Sequence, residues 1–220
     1  MKTVLKIGGS LAADPKNLKY LLKTIAGTKL GENSSIIIIP GGGPFADTVR
    51  EYQKILDLSE DAAHWMAIIA QNQYGRLLAD LFPNVKLVEI PEHIPDALDE
   101  GVNVVLPYRF IRMRDELPHS WNVTGDSIAL WFGIVLKADY VALLKSVDGI
   151  MTTGINGKST RLDEVNASDL TFIDRAGVLD NYFSELVPRF DGEIIIINGQ
   201  KLELISGFLS GKKVAGTRIL

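Results

Sequence analysis

The stretch Ser35-Ile36-Ile37-Ile38-Ile39-Pro40-Gly41-Gly42-Gly43-Pro44 reads as a strand that ends abruptly in a glycine turn. Four consecutive isoleucines leave no polar face, so the strand belongs in the middle of a sheet covered on both sides. Upstream, Lys2-Thr3-Val4-Leu5-Lys6-Ile7 is a second, largely apolar run, and it stops at Gly8-Gly9-Ser10. Between the two, Asp14-Pro15 opens a helix, with Asp as cap and Pro at the first helical position. Leu18, Leu21, Leu22, Ile25 and Ala26 follow at helical spacing.

Downstream the alternation continues. A helix carries Phe45, Val49 and Tyr52, and another, capped by Asp57 or Ser59, runs to Phe82. Strands are expected at Leu87–Ile90 and Val102–Leu106, and a helix apolar on most sides at Val123–Leu136. A strand at Tyr140–Leu144 ends in Lys145-Ser146-Val147-Asp148-Gly149, and Thr152–Lys158 reads as a polar turn, in hairpin form. Then come a helix at Gly177–Leu186, a strand at Glu193–Ile197, a helix at Leu202–Leu209 and a strand at Gly216–Leu220. Strands alternating with helices predict an α/β sandwich, a mostly parallel sheet with helices on both faces. The less regular Pro107–Pro118 is the expected lid or interface loop. No linker is visible, so residues 1–220 are read as one domain.

With 220 residues, 46% hydrophobic and 23% charged, the chain can build a real core. It has no cysteine, which removes disulfides, thiolate metal sites and cysteine nucleophiles. A net charge of −4 gives no general attraction to nucleic acid or anionic membranes. The longest apolar run, Ile128–Leu136, is far short of a membrane span, and no signal-peptide pattern opens the chain, so a cytoplasmic protein is expected.

The chemistry is concentrated at strand ends. In open α/β sheets ligands sit beyond the carboxyl ends of the strands, and two successive βα turns here are Gly8-Gly9-Ser10 and Gly41-Gly42-Gly43. Glycine lets backbone N–H groups approach an anion, and the following helix adds positive potential. Two such turns side by side would hold a polyanion. Lys6, in an otherwise apolar strand just before the first turn, reads as a point charge on a transferring phosphoryl group. Gly157-Lys158-Ser159 looks like the end of a Walker A loop, but Thr152 stands where that motif needs glycine, so it reads as a turn. No GxGxxG run exists.

Taken together, Lys6-Ile7-Gly8-Gly9-Ser10, the triple glycine, the Asn122-x-x-x-Asp126 pair, Val147-Asp148-Gly149 and Gly216-Thr217-Arg218-Ile219 resemble the amino acid kinase superfamily, in family order over nearly the whole chain. The resemblance implies the three-layer αβα fold of that family, with an acceptor-side half at about 1–135 and a nucleotide-side half at about 136–220. It implies ATP and Mg2+, a cytoplasmic homo-oligomer, and transfer to a carboxylate, carbamate or phosphate monoester. Leu58–Met66 and Leu117–Trp131 are most similar to the archaeal-type branch. That branch includes the kinase of an aminomethyl-furanylmethyl phosphate in methanofuran biosynthesis.

The resemblance assigns Lys6 to the β- and γ-phosphates, and Gly8, Gly9 and Ser10 to the ATP phosphates. Ser146, Asp148 and Gly149 fall to the nucleotide, Gly41, Gly42 and Gly43 to the acceptor. Asp126 is the organiser of the catalytic cations, and Asn122 lines the acceptor side. Many relatives carry a second, later lysine. Here Arg189 or Lys145 is the candidate for that charge, and the two are not equivalent chemically.

Among the histidines, His119 beside Trp121 and Asn122 is the expected grip on the acceptor, while His64 is read equally as a packed surface residue and His93 as exposed loop. Arg50 is a further acceptor-side candidate, and Arg109, Arg112 and Arg114 either bind phosphate or meet another subunit. No His spacing suggests a protein metal site. An ionised acceptor needs no general base, and the chain offers none, which suits a phosphate monoester or a carboxylate better than an alcohol. A uridylate-type or carboxylate kinase, or a non-catalytic binder of nucleotide or oxyanion, would use the same turns.

Overall fold

In the computed structural model, which describes residues 1–83, 85–89, 98, 100–153, 159–173 and 177–220, the isoleucine strand lies where its composition demands. Strands β1 (Lys2–Ile7), β2 (Ser35–Pro40), β3 (Lys86–Glu89), β4 (Gly101–Leu106), β5 (Tyr140–Lys145), β8 (Glu164–Val165), β9 (Glu193–Asn198) and β10 (Thr217–Ile219) form one sheet in the order β3-β4-β2-β1-β5-β9-β10-β8. From β3 to β9 all neighbours are parallel, with Lys6 opposite Ile39 on one side and Leu143 on the other. The last strand, β10, returns antiparallel to β9 and pairs in parallel with the short β8. The expected polar hairpin is a separate antiparallel ribbon, β6 (Met151–Thr153) with β7 (Ser159–Arg161). Gly157 and Lys158 of the Walker-like run, like His93 and the predicted strand end Ile90, lie outside the described residues.

Helices cover both faces, and the strands' period of two sorts their side chains between two cores. On one face Val4, Ile37, Ile39, Val141 and Leu143 pack against α5 (Gly125–Leu136) and α4 (Tyr108–Arg114). On the other, Leu5, Ile7, Ile36, Ile38, Ala142 and Leu144 meet α1 (Pro15–Ala26) and α8 (Leu202–Leu209). Helix α3 (Glu60–Leu81) contributes to both, through Trp65 and Ile68 on the first face and Tyr74 and Leu78 on the second. Beyond its first turn helix α5 is apolar on all sides, with Trp131 and Phe132 fully buried, as a helix with little solvent face must be.

The caps follow local chemistry. Ser59 caps α3 by accepting from the Ala62 N–H (3.2 Å). Asp57 instead ends α2 (Gly43–Leu56) in the left-handed region, φ 52°.

Two sequence-based expectations are corrected. Pro107–Pro118 is no open lid, because α4 occupies most of it and is anchored by buried Phe110 and Ile111 and by a bond from the Tyr108 N–H to Asn72 Oδ1 (3.1 Å). Beyond the short α6 (Leu170–Ile173), the helix expected from Gly177 is restricted to α7 (Phe183–Leu186). Gly177 has φ 63°, and the segment after it spends its polar groups on a neighbouring helix, as described next.

Candidate active site

The parallel strands β1, β2 and β5 end side by side, so their turns converge. A Cβ on Gly9 would stand 2.4 Å from the Gly43 backbone, and one on Gly41 would stand 2.8 Å from the Gly9 nitrogen. The two glycine turns are thus in direct backbone contact, and glycine is required there for that approach as much as for any ligand. A Cβ on Gly125 would meet Gly41 Cα and Lys6 Cε, each at 3.2 Å, so the start of α5 closes on the same point. The third turn joins through Ser146, whose hydroxyl donates to Ser10 Oγ (3.1 Å).

Alternation along the strands places Lys6, two residues beyond Val4, and Lys145, two beyond Leu143, on the α5 face. There they meet Asp126 in the first turn of α5. Lys6 Nζ lies 2.8 Å from Oδ1 as an ion pair, and Lys145 Nζ donates to Oδ2 at 2.6 Å. Lys145 also donates to the Val178 carbonyl. All three side chains are nearly buried. Burial alone would raise the Asp126 pKa, but the two ammonium groups outweigh it and hold the carboxyl below its usual range. Burial, and then the nearby Lys6 charge, push the Lys145 ammonium down from its ordinary value. The position of Asp126 at a helix N-terminus further favours its anion.

What holds Asp126 in place is a residue the sequence did not disclose. Thr124 makes no side-chain cap for α5. Asp180, from the segment before α7, does the capping across the chain. Its Oδ2 accepts from the Thr124 N–H (2.9 Å), the Thr124 hydroxyl (2.8 Å) and the Ser127 N–H (3.0 Å), while the Ser127 hydroxyl donates to Oδ1. Burial and the neighbouring Asp126 charge hold the Asp180 carboxyl above its usual range. Asp180→Ala should therefore lose a cap and leave buried donors unpaired, at a cost of about 2–3 kcal/mol. Thermal melting should show a midpoint lower by roughly 4–12 °C. A shift under one degree would mean that the cap is dispensable.

Two clefts meet at this cluster. One, about 480 Å³, is lined by Lys6, Gly41, Gly42, Gly43, Arg50 and Trp121 together with α3 residues Glu60, His64, Ala67, Ile68 and Gln71. The other, about 560 Å³, is lined by Gly8, Asp126, Lys145, Ser146, Val147, Val178 and Asp180. Lys6, Gly9, Ser10, Arg50, Trp121 and Thr124 line both. The Arg50 guanidinium lies over the Trp121 ring (4.2 Å) and 3.4 Å from Asp47.

The remaining predicted residues fall outside the cleft walls. Asp148 accepts from Lys201 (2.6 Å) and Asn198 (2.8 Å) at the end of β9, contacts that hold its pKa below the ordinary value. Gly149, at φ 137°, packs against Thr217, whose hydroxyl ties the Ile150 N–H to the Leu162 carbonyl. Asn122 is exposed and accepts from Asn181 (2.9 Å). His119 is bonded through Nδ1 to Asp61 (2.6 Å) and through Nε2 to Asp115 (2.8 Å). Burial lowers its pKa, but those bonds outweigh burial and raise it overall. His119 stands behind His64, stacked at 4.3 Å, and it is His64 that lines the cleft. Arg189 sits at the opposite end of the sheet, in a groove with Lys137, Asp139 and Glu193, away from the charge for which it was considered.

Comparison with known proteins finds relatives by sequence and by fold. The model of the amino acid kinase family matches residues 1–179. The [5-(aminomethyl)furan-3-yl]methyl phosphate kinase of Methanocaldococcus jannaschii is 32% identical over 218 residues, 99% of this chain and 97% of that protein. A uridylate kinase of Thermoplasma volcanium is 28% identical over 67% of this chain and 62% of its own length. Among solved structures, uridylate kinase from Archaeoglobus fulgidus superposes with a TM-score of 0.75 at 20% identity, covering 100% of both chains. An isopentenyl phosphate kinase does so with 0.68 at 20%, again covering 100% of both. Glycine turns in contact, a buried Lys-Asp-Lys cluster between two clefts and a full-length match thus lead to one conclusion: the chain belongs to the amino acid kinase family.

Proposed function

We propose that this protein is an ATP-dependent kinase that transfers the γ-phosphoryl group to a phosphate monoester, with an aminomethyl-furanylmethyl phosphate as the favoured acceptor. The observation that carries the reading is the place of Lys6, a cation that lines both clefts and is paired with Asp126. The full-length likeness to the furanylmethyl phosphate kinase supplies the acceptor class.

In this reading the cleft at Gly8, Ser10, Lys145 and Ser146 takes the nucleotide, and that at Gly41–Gly43 and Arg50 takes the acceptor. The acceptor cleft is lined wholly from the first 128 residues, which fits an acceptor-side half of about 1–135. Lys6 and Lys145 neutralise the oxygens of the moving phosphoryl group from two sides, and Asp126 keeps the two ammonium groups in register and apart. Phosphoryl transfer needs alignment and charge compensation more than proton removal, and a phosphate monoester is already close to a dianion at neutral pH. Among the described residues no cluster of three His, Asp or Glu forms a metal cage. Mg2+ bound with the nucleotide would supply charge neutralisation beside Lys6 and Lys145.

The enzyme is further read as a cytoplasmic homo-oligomer. Exposed Tyr52, Ile55 and Leu56 at the end of α2 are apolar surface such an assembly would cover. Among the described residues no helix is long and apolar enough to cross a membrane.

The test is ADP formation with [5-(aminomethyl)furan-3-yl]methyl phosphate, UMP, isopentenyl phosphate, aspartate and N-acetylglutamate offered singly. Turnover of the furanylmethyl phosphate is expected. Turnover of UMP alone would replace the acceptor, and tight ATP binding with no turnover against any of them would make the protein a binder.

A further inference from the structure

The wall of the acceptor cleft is polarised. At the strand ends it carries Lys6 and Arg50 beside the triple glycine. Along α3 the residues facing the cleft are Glu60, His64, Ala67, Ile68 and Gln71, a single helical stripe. Tyr74, one turn beyond Gln71, lies against Gly43, so Gln71 marks the glycine end of the stripe. At 1.5 Å per residue, His64 is then about 10 Å and Glu60 about 16 Å farther out.

Several facts about this outer end point to a ligand. His64 is only 5% exposed, and among the described residues its Nε2 has no partner. A buried polar atom without a partner is costly and calls for an explanation. Burial, and then the neighbouring His119, push the His64 imidazole down to about 4, so it is neutral and free to accept a hydrogen bond. Glu60, at the rim, accepts from the neutral Gln53 amide (3.1 Å), and among the described residues no cation pairs with it. Two further carboxylates, Asp61 and Asp115, bracket His119 behind His64 and offset its charge. Gln71 Oε1 is likewise buried and, among the described residues, without a partner, though a side-chain amide can present either end and so decides nothing alone.

We propose that His64 and Glu60 form a second subsite of the acceptor cleft, which receives a primary ammonium group at the end of the acceptor away from its phosphate. The cleft is thereby built for a zwitterion. Phosphate lies at the glycines and Lys6, a flat or apolar body against Ala67, Ile68 and Ile128, and the ammonium is hydrogen-bonded by His64 and paired with Glu60. This deepens the function proposed above and rests on it.

The experiment compares [5-(aminomethyl)furan-3-yl]methyl phosphate with (5-methylfuran-3-yl)methyl phosphate, which lacks only the amine. The unaltered protein, His64→Leu and Glu60→Gln are each assayed, and the readout is the ratio of kcat/KM for the two acceptors. The unaltered protein should favour the amine by about 10–100-fold, the worth of a desolvated charged hydrogen bond. Both variants should bring the ratio down towards one. Should His64→Leu fail to fold, Glu60→Gln at the exposed rim decides. A ratio near one in the unaltered protein, or one kept in the variants, would overturn the ammonium subsite while leaving the phosphate-acceptor reading intact. If neither furan phosphate is turned over, the parent reading falls and the subsite falls with it.

Discussion

Lys6→Met should lower kcat by about 10³-fold while leaving the protein folded. Methionine keeps the length of the stem against Gly125 and removes only the charge. Among the described residues, that charge is the one cation lining both clefts that Asp126 also fixes. A preorganised cation on a transferring phosphoryl group acts most strongly in the transition state, and removing such a group costs on the order of 10²–10⁵ in rate. The KM for ATP should change far less than kcat, because the loss falls on the transition state more than on ground-state binding. The fold is expected to survive because Asp126 Oδ2 keeps its bond to Lys145. Loss of the Lys6 charge also relieves a repulsion that depresses the Lys145 pKa. Steady-state kinetics with circular dichroism as a control would decide. A fall of less than tenfold in a folded variant would show that Lys6 is a structural counter-ion to Asp126 and nothing more.

The parts of this cluster differ in how openly the sequence announces them. Lys6 is legible because a lysine in an apolar strand, one residue before Gly8-Gly9, has few structural explanations. The convergence of the two glycine turns follows from parallel strands of adjacent order, and the two largely apolar runs before them already point to such a sheet. Lys145 and Arg189 could not be separated by sequence, since both flank strands. Only the direction of the sheet shows that one lies at the carboxyl ends with Asp126 and the other at the opposite end.

Asp180 was hidden for a different reason. Its stretch has helical spacing, and the trans cap that breaks that helix depends on a contact 56 residues away in sequence. With the two histidines, proximity in sequence to Asn122 favoured His119. The stripe Glu60, His64, Ala67, Ile68, Gln71 was present in the α3 sequence at i, i+4, i+7, i+8 and i+11, but nothing local says which helix face meets a cleft.

Asp126→Asn is the harsher change to the cluster, and it separates charge from shape. The amide nearly matches the carboxylate in size, yet it leaves two buried ammonium groups without a counter-ion. Breaking a buried ion pair by removing one partner costs about 3–5 kcal/mol, so a melting midpoint lower by roughly 6–20 °C is expected near pH 7. The wild-type Asp126 carboxyl has a depressed pKa in the folded protein. The stability it contributes is present above the ordinary carboxylate value of about 3.9 and fades as pH falls through the lower folded value. The stability gap between the two proteins should therefore be full at neutral pH and narrow below about pH 4.

Activity should fall by about 10³-fold as well, because neither lysine is held at the phosphate position proposed for it. The residual activity carries a further signature. Asp126 is an influence that raises the Lys145 pKa against burial and the Lys6 charge. Without it, Lys145 loses its proton at lower pH, and the alkaline limb of the kcat/KM profile should move to lower pH than in the unaltered protein. An unmoved alkaline limb, with stability unchanged at pH 7, would mean that the two ammonium groups do not depend on Asp126, and the cluster could not be the device that aligns the phosphoryl group.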